Sequence, residues 1–217
     1  MFIGHIAVAL AAKCVAPTLP LRTALVGTVL PDLVWPVLVL AGVEHVEIAP
    51  GDTAFVPLRF VSYPWSHSLL MVTLTGALVG GLYAWRTRNR SSGMVFALLA
   101  ISHWVLDWIS HRTDMPLMPG GAVHGLGLWQ SVPATLLAES GLFLLGTLLY
   151  AHATVARDRT GTLSYWSLIV LLAAAYTTDR FSPPPPSAAA VAWMGILLGV
   201  VLFAWATWIE RHRSLRS

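Results

Sequence analysis

Three ionisable side chains stand on one stripe of an otherwise apolar stretch, SHWVLDWISH (Ser102 to His111). They are His103, Asp107 and His111, each four residues after the last. On an α-helix, residues four apart share a face and lie ~6 Å apart along the axis. His103 and Asp107 can therefore hold one metal ion, at the spacing that serves the two histidines of HExxH sites. His111 lies ~12 Å from His103 by the same rise, too far to join that ion easily. It is a candidate to bind a second ion, to hold substrate, or to mark the membrane surface.

Other ionisable residues sit in apolar surroundings: His5 (GHIAVALAA), Asp32 (VLPDLVWP), His67 (YPWSHSLL) and Glu139 (TLLAESGLF). Such groups are costly inside membrane spans and are functional by default. A lone one bridges helices just as well, but several on separate segments point to one site. His5, Asp32, His67, His103, Asp107 and His111 are the candidate ligands, with Glu139 and Asp32 the candidate catalytic carboxylates. Imidazole and carboxylate ligands without thiolate suit zinc first, and manganese or iron after it. Such an ion activates water near neutral pH and polarises an ester or phosphoester oxygen. Ser66, Ser68, Ser102 and Ser110 flank the histidines; they are candidates to hold the unused ring nitrogens or to serve helix packing.

The elements that must position these groups are membrane helices. Hydrophobic residues make up 56% of the 217-residue chain and charged residues only 11%, against ~25% charged in soluble domains. Seven apolar segments stand out, at roughly 2–16, 21–43, 66–86, 93–111, 132–153, 163–180 and 188–209, most of them near the ~20 residues a span needs. The expected fold is all-α: one polytopic bundle of 6–7 hydrophobic helices forming a single domain over residues 1–217. The first segment is short, either half-inserted or packed inside the bundle. No positive n-region precedes it, so it reads as a retained helix rather than a signal peptide. Pro31 and Pro36 kink the second. The PPPP run at Pro183–Pro186 is a stiff connector, and Cys14 is the one cysteine, so no internal disulfide forms.

The basic residues sit in short loops rather than in an aromatic-laced patch, which argues against nucleic acid as a partner. Lys13, Arg22, Arg86, Arg88, Arg90, Arg157, Arg159, Arg211, Arg213 and Arg216 all fall on one side, which the positive-inside rule makes cytoplasmic. Glu44, Glu47 and Asp52 fall in a loop on the outer side, as does a Gly- and Pro-rich cap over 112–131. The candidate site residues, not used to set this topology, lie in the outer half. Trp65, Trp85, Trp129 and Trp208 read as interface anchors.

At these residues the sequence resembles the membrane-bound metal-dependent hydrolase family of bacterial inner-membrane proteins. The matching pieces are Gly4-His5, Pro31-Asp32, Ser66-His67-Ser68 and His103 with Asp107, over roughly residues 1 to 130. The family is distantly similar to zinc-dependent phospholipase C and related nucleases, which implies a helical His/Asp-lined metal site acting on phosphoesters. Two departures stand out. Val34 replaces the acid that follows Pro-Asp, which puts a second metal site in doubt. Tyr63-Pro64-Trp65 replaces a His-Arg-Gly, which implies a changed substrate mouth.

Three functions compete. The first is a hydrolase of a lipid-like or other amphiphilic ester or phosphoester, embedded in the bacterial inner membrane with its site facing outward. The second is a transporter or channel with a buried His/Asp cation or proton site; the absence of an internal repeat argues against it. The third is a metal-stabilised scaffold without catalysis.

Overall fold

In hydrocarbon every backbone polar group needs an internal partner, so apolar segments of this length become helices. The computed structural model describes residues 1–179 and 181–216, and these form a helical bundle. In chain order the elements are α1 (Ile3–Val15), α2 (Leu21–Thr28), α3 (Leu30–Leu40), β1 (His45–Ile48), β2 (Leu58–Ser62), α4 (Pro64–His67), α5 (Leu69–Thr87), α6 (Arg90–Ser110), β3 (Met115–Pro116), β4 (Val123–His124), α7 (Val132–Ala153), β5 (Thr154–Ala156), α8 (Arg159–Asp179), α9 (Ala188–His212) and β6 (Arg213–Leu215). Five helices, α5 to α9, are long and apolar enough to span a bilayer, and the bent pair α2–α3 makes a sixth span. The chain is an integral membrane protein. The expected end of the sixth segment, residue 180, lies outside the described residues.

The short first segment is packed inside the bundle rather than half-inserted. Ile3, Ile6, Leu10 and their neighbours on α1 are buried in the main apolar cluster. Helix α7 crosses α1 so closely that a Cβ on Gly146 would lie 2.4 Å from the Ala7 carbonyl oxygen. Only glycine permits that approach, and it brings His5 into the interior.

Pro31 has no N–H to give, and its ring displaces the preceding turn. The chain bends by 55° between α2 and α3. Val29 and Leu30 mark the break, with Asp32 in the first turn beyond it.

Three two-stranded antiparallel ladders close the ends. At the basic end β5 pairs with β6, and the buried Arg213 lies 4.8 Å from the Tyr165 ring and donates to Thr154. There Glu210 also accepts from Arg22 at 2.8 Å. At the other end β1 pairs with β2 and β3 with β4. Arg112 joins this cap together, donating to Asp52 at 3.1 Å and to Asp114 at 3.2 Å. Arg112 and Asp114 thus form an ion pair.

Candidate metal centre

Two histidines are held by their Nδ1 atoms with Nε2 turned inward. The Thr28 carbonyl, at the bend, faces His103 Nδ1 at 2.7 Å. A carbonyl only accepts, so this nitrogen carries a proton, and in the neutral ring Nε2 keeps the lone pair. His67 reaches the same state by a longer route. Ser66 Oγ lies 2.5 Å from Glu44 Oε2 and 2.7 Å from His67 Nδ1. The hydroxyl has one proton, which goes to the carboxylate, so Oγ accepts from His67 Nδ1–H. These tautomers are assigned from the hydrogen-bond network.

Both Nε2 atoms meet carboxylates. His103 Nε2 is 2.9 Å from Asp107 Oδ2 and 3.9 Å from Asp32 Oδ1. His67 Nε2 is 3.5 Å from Asp32 Oδ1 and 3.9 Å from Asp107 Oδ2. The His103 Nε2 atom is buried without a hydrogen-bond partner. Nitrogen lone pairs facing carboxylate oxygens repel unless a proton or a metal cation lies between them. Four ligands on a tetrahedral ion, with bonds of ~2.05 Å, stand ~3.3 Å apart. The distances bracket that value, so the donor set fits a divalent ion. Among the described residues, groups that could hold one are formed by the half-buried Asp32 with the buried His67 and His103, and by the buried His5, His103 and Asp107.

His5 stacks flat on His103, with ring centres 3.9 Å apart. Its Nε2 is 3.1 Å from Asp107 Oδ1, an oxygen that also contacts the Met1 amine. The structure therefore brings His5, Asp32, His67, His103 and Asp107 together from α1, α3, α4 and α6.

The other two candidates sit apart from these groups. His111 Nδ1 is 3.2 Å from the Tyr63 hydroxyl and 3.0 Å from Asp114, and its ring packs 4.3 Å from Trp129. One further helical turn carries it into the cap. Glu139 Oε2 accepts from the amides of Phe2 at 2.8 Å and Gly4 at 3.4 Å, so it anchors the start of α1. Trp129 is a correction: it is buried over His111 rather than set at the membrane interface.

Of the four serines, Ser66 alone reaches a histidine. Ser68 caps α5, while Ser102 and Ser110 turn back to carbonyls of their own helix. Glu44 is the residue that sequence reasoning missed. Read as a loop acid, it is 1% exposed and also accepts from the amides of Trp65 and Ser66. No local signal marks it, because its partners lie more than twenty positions along the chain.

Asp32 differs from the other candidate ligands in exposure: its side chain is 48% exposed against 5% for Asp107. It opens into a cleft of about 610 Å³ between α3 and α9. Comparison with protein-family models, curated proteins and solved structures gives no match to this chain.

Proposed function

We propose that this protein is a membrane-embedded metal-dependent hydrolase of an ester or phosphoester carried by an amphiphile. The observation that carries the reading is the pair of inward-facing nitrogens, His67 Nε2 and His103 Nε2, each set by an Nδ1 anchor and each facing Asp32 and Asp107. His67, His103 and Asp107 would hold a divalent ion, zinc first by ligand type, with His5 steadying the other oxygen of Asp107. Such an ion supplies Lewis-acid polarisation of a carbonyl or phosphoryl oxygen.

Asp32 takes the role of general base or labile fourth ligand, because it alone among the carboxylates of this cluster opens to the cleft. Catalytic sites keep such a position open, whereas structural ones are closed. Glu139 is committed to two backbone amides and is replaced by Asp32 in this role. The concentration of Lys and Arg at the far end supports a site on the outer side of a bacterial inner membrane, in keeping with the family resemblance.

The test is turnover of a panel of ester and phosphoester amphiphiles by protein in mild detergent. A chelator should abolish it and zinc or manganese restore it. Asp32→Asn should lower kcat ~10²–10⁴-fold while the metal stays bound, the range for removal of a general base. Turnover indifferent to both treatments contradicts the mechanism. Stoichiometric metal with no turnover of any substrate would make the site a structural one.

A further inference from the structure

A second cavity, of about 450 Å³, lies at the basic end of the bundle, where α7 and α9 run into the β5–β6 ribbon. Lys13, Tyr150, Arg157, Glu210, Arg213 and Leu215 line it. Arg213 is 9% exposed, yet neutral groups hold its guanidinium. It donates to Thr154 Oγ1 at 2.9 Å, to the Thr154 carbonyl at 3.2 Å and to the Gly161 carbonyl at 3.3 Å. A buried charge is ordinarily paired with an opposite one, because taking it out of water is costly. Among the described residues, no carboxylate pairs with Arg213, Lys13 or Arg157. The acids of this region are committed elsewhere. Glu210 accepts from the Leu21 amide and from Arg22 at 2.8 Å, and Asp158 pairs with His212 at 2.8 Å.

Two further features point to a ligand. The rings of Tyr165 and Tyr150 flank Arg213 at 4.8 Å and 5.7 Å. They fix the guanidinium in place and offset only part of its charge. Tyr150 is itself 1% exposed. Tyr165 donates to the Thr147 carbonyl at 2.7 Å, whereas the Tyr150 hydroxyl has no hydrogen-bond partner among the described residues. A buried tyrosine hydroxyl usually finds one. Lys13 Nζ donates to the Leu19 carbonyl at 2.9 Å, which leaves N–H groups to spare on an ammonium with three. The cavity thus gathers three cations and an unused hydroxyl. A phosphate matches this set: it carries several acceptor oxygens and fits the guanidinium fork. A carboxylate, with one charge and two oxygens, would leave more of it unanswered.

We infer that this cavity binds a phosphate group, supplied by the headgroup of an anionic membrane lipid. The inference is independent of the hydrolase reading, since none of the His/Asp residues lines this cavity. Place and rim favour a lipid over a free ion. The cavity lies where the spanning helices α7 and α9 end, the level at which Lys and Arg attract anionic headgroups. Leu215, on its rim, is exposed and apolar, which suits the part of a lipid below its phosphate. A bound headgroup would offset the Arg213 charge and join the end of α1 to the β5–β6 ribbon through Lys13 and Arg157.

The test is calorimetric titration of the full chain, in a neutral detergent at fixed ionic strength, with dioctanoyl phosphatidic acid, dioctanoylglycerol and inorganic phosphate. Phosphatidic acid should bind saturably and dioctanoylglycerol should not. Arg213 also ties the ribbon to α7, so the variants are Lys13→Gln and Arg157→Gln, with folding checked by circular dichroism. Each should weaken phosphatidic acid ~5-fold, the scale of one basic residue beside an anionic headgroup. Arg86→Gln, near the end of α5 and outside the cavity, should leave the affinity unchanged. His103→Ala should do the same, which separates the cavity from the metal centre. Inorganic phosphate bound as tightly as phosphatidic acid keeps the phosphate site and overturns the lipid as its source. No saturable binding of either, or equal losses in Lys13→Gln, Arg157→Gln and Arg86→Gln, overturns the inference and leaves a diffuse basic surface.

Discussion

At the scale of residues, the candidate centre is oriented by groups outside the His/Asp cluster. The Thr28 carbonyl and the Glu44–Ser66 pair decide which nitrogen of each histidine points inward. Outer partners of this kind are worth ~10–100-fold in metal affinity. Glu44→Gln should therefore weaken zinc binding by ~10–100-fold in competition with a chelator, with the helical content unchanged. Unaltered affinity would show that Ser66 alone holds His67. The clustering of the His and Asp residues was legible in the sequence, because several ionisable side chains on separate apolar segments point to one site. Glu44 was not, since it is paired with the amides of Trp65 and Ser66 at the start of α4, far along the chain. Nor was the fate of Glu139, whose partners are backbone amides that any sequence supplies.

At the scale of elements, bends and caps bring the pieces into register. The Pro31-Asp32 pair was read as a kink, and the kink both turns Asp32 toward the histidines and presents the Thr28 carbonyl to His103. Pro31→Ala should straighten α2–α3 and reduce bound metal while the protein still folds. A metal content equal to wild type would separate the bend from the site. The cap answers to pH through Asp114. Burial alone would raise this carboxyl, but hydrogen bonds from His111, Tyr63 and Arg112 outweigh it and hold Asp114 below its ordinary value of 3.8. A carboxyl depressed in the folded state adds stability that is present above the unfolded pKa and lost as pH falls through the lower, folded one. Wild type should thus lose ~1–2 kcal/mol of cap stability below pH ~4. Asp114→Asn should lose that contribution at neutral pH and show a flatter melting profile over the same acid range. Equal acid slopes in the two proteins would contradict this role. His111 belongs to the same unit: the four-residue stripe was legible, but the extra turn puts its ring under Trp129.

At the scale of the whole molecule, the spans follow from composition, while the central position of α1 does not. A thirteen-residue helix is too short to reveal a buried core helix by length, and the close approach at Gly146 depends on a partner far along the chain. The orientation proposed here is open to thiol labelling. Cys14 is exposed at the basic end of α1, and Thr113 is exposed in the cap. In intact cells a membrane-impermeant maleimide should label Thr113→Cys and spare Cys14; the opposite pattern would invert the site. The central claim, a metal ion held among His67, His103, Asp32 and Asp107, meets its most direct test in elemental analysis of purified wild type beside His103→Ala. Stoichiometric zinc, manganese or iron in the wild type, lost in the variant, is the predicted result. Metal retained in full by His103→Ala, or absent from wild type even after reconstitution, would contradict it and leave a polar network bridging helices.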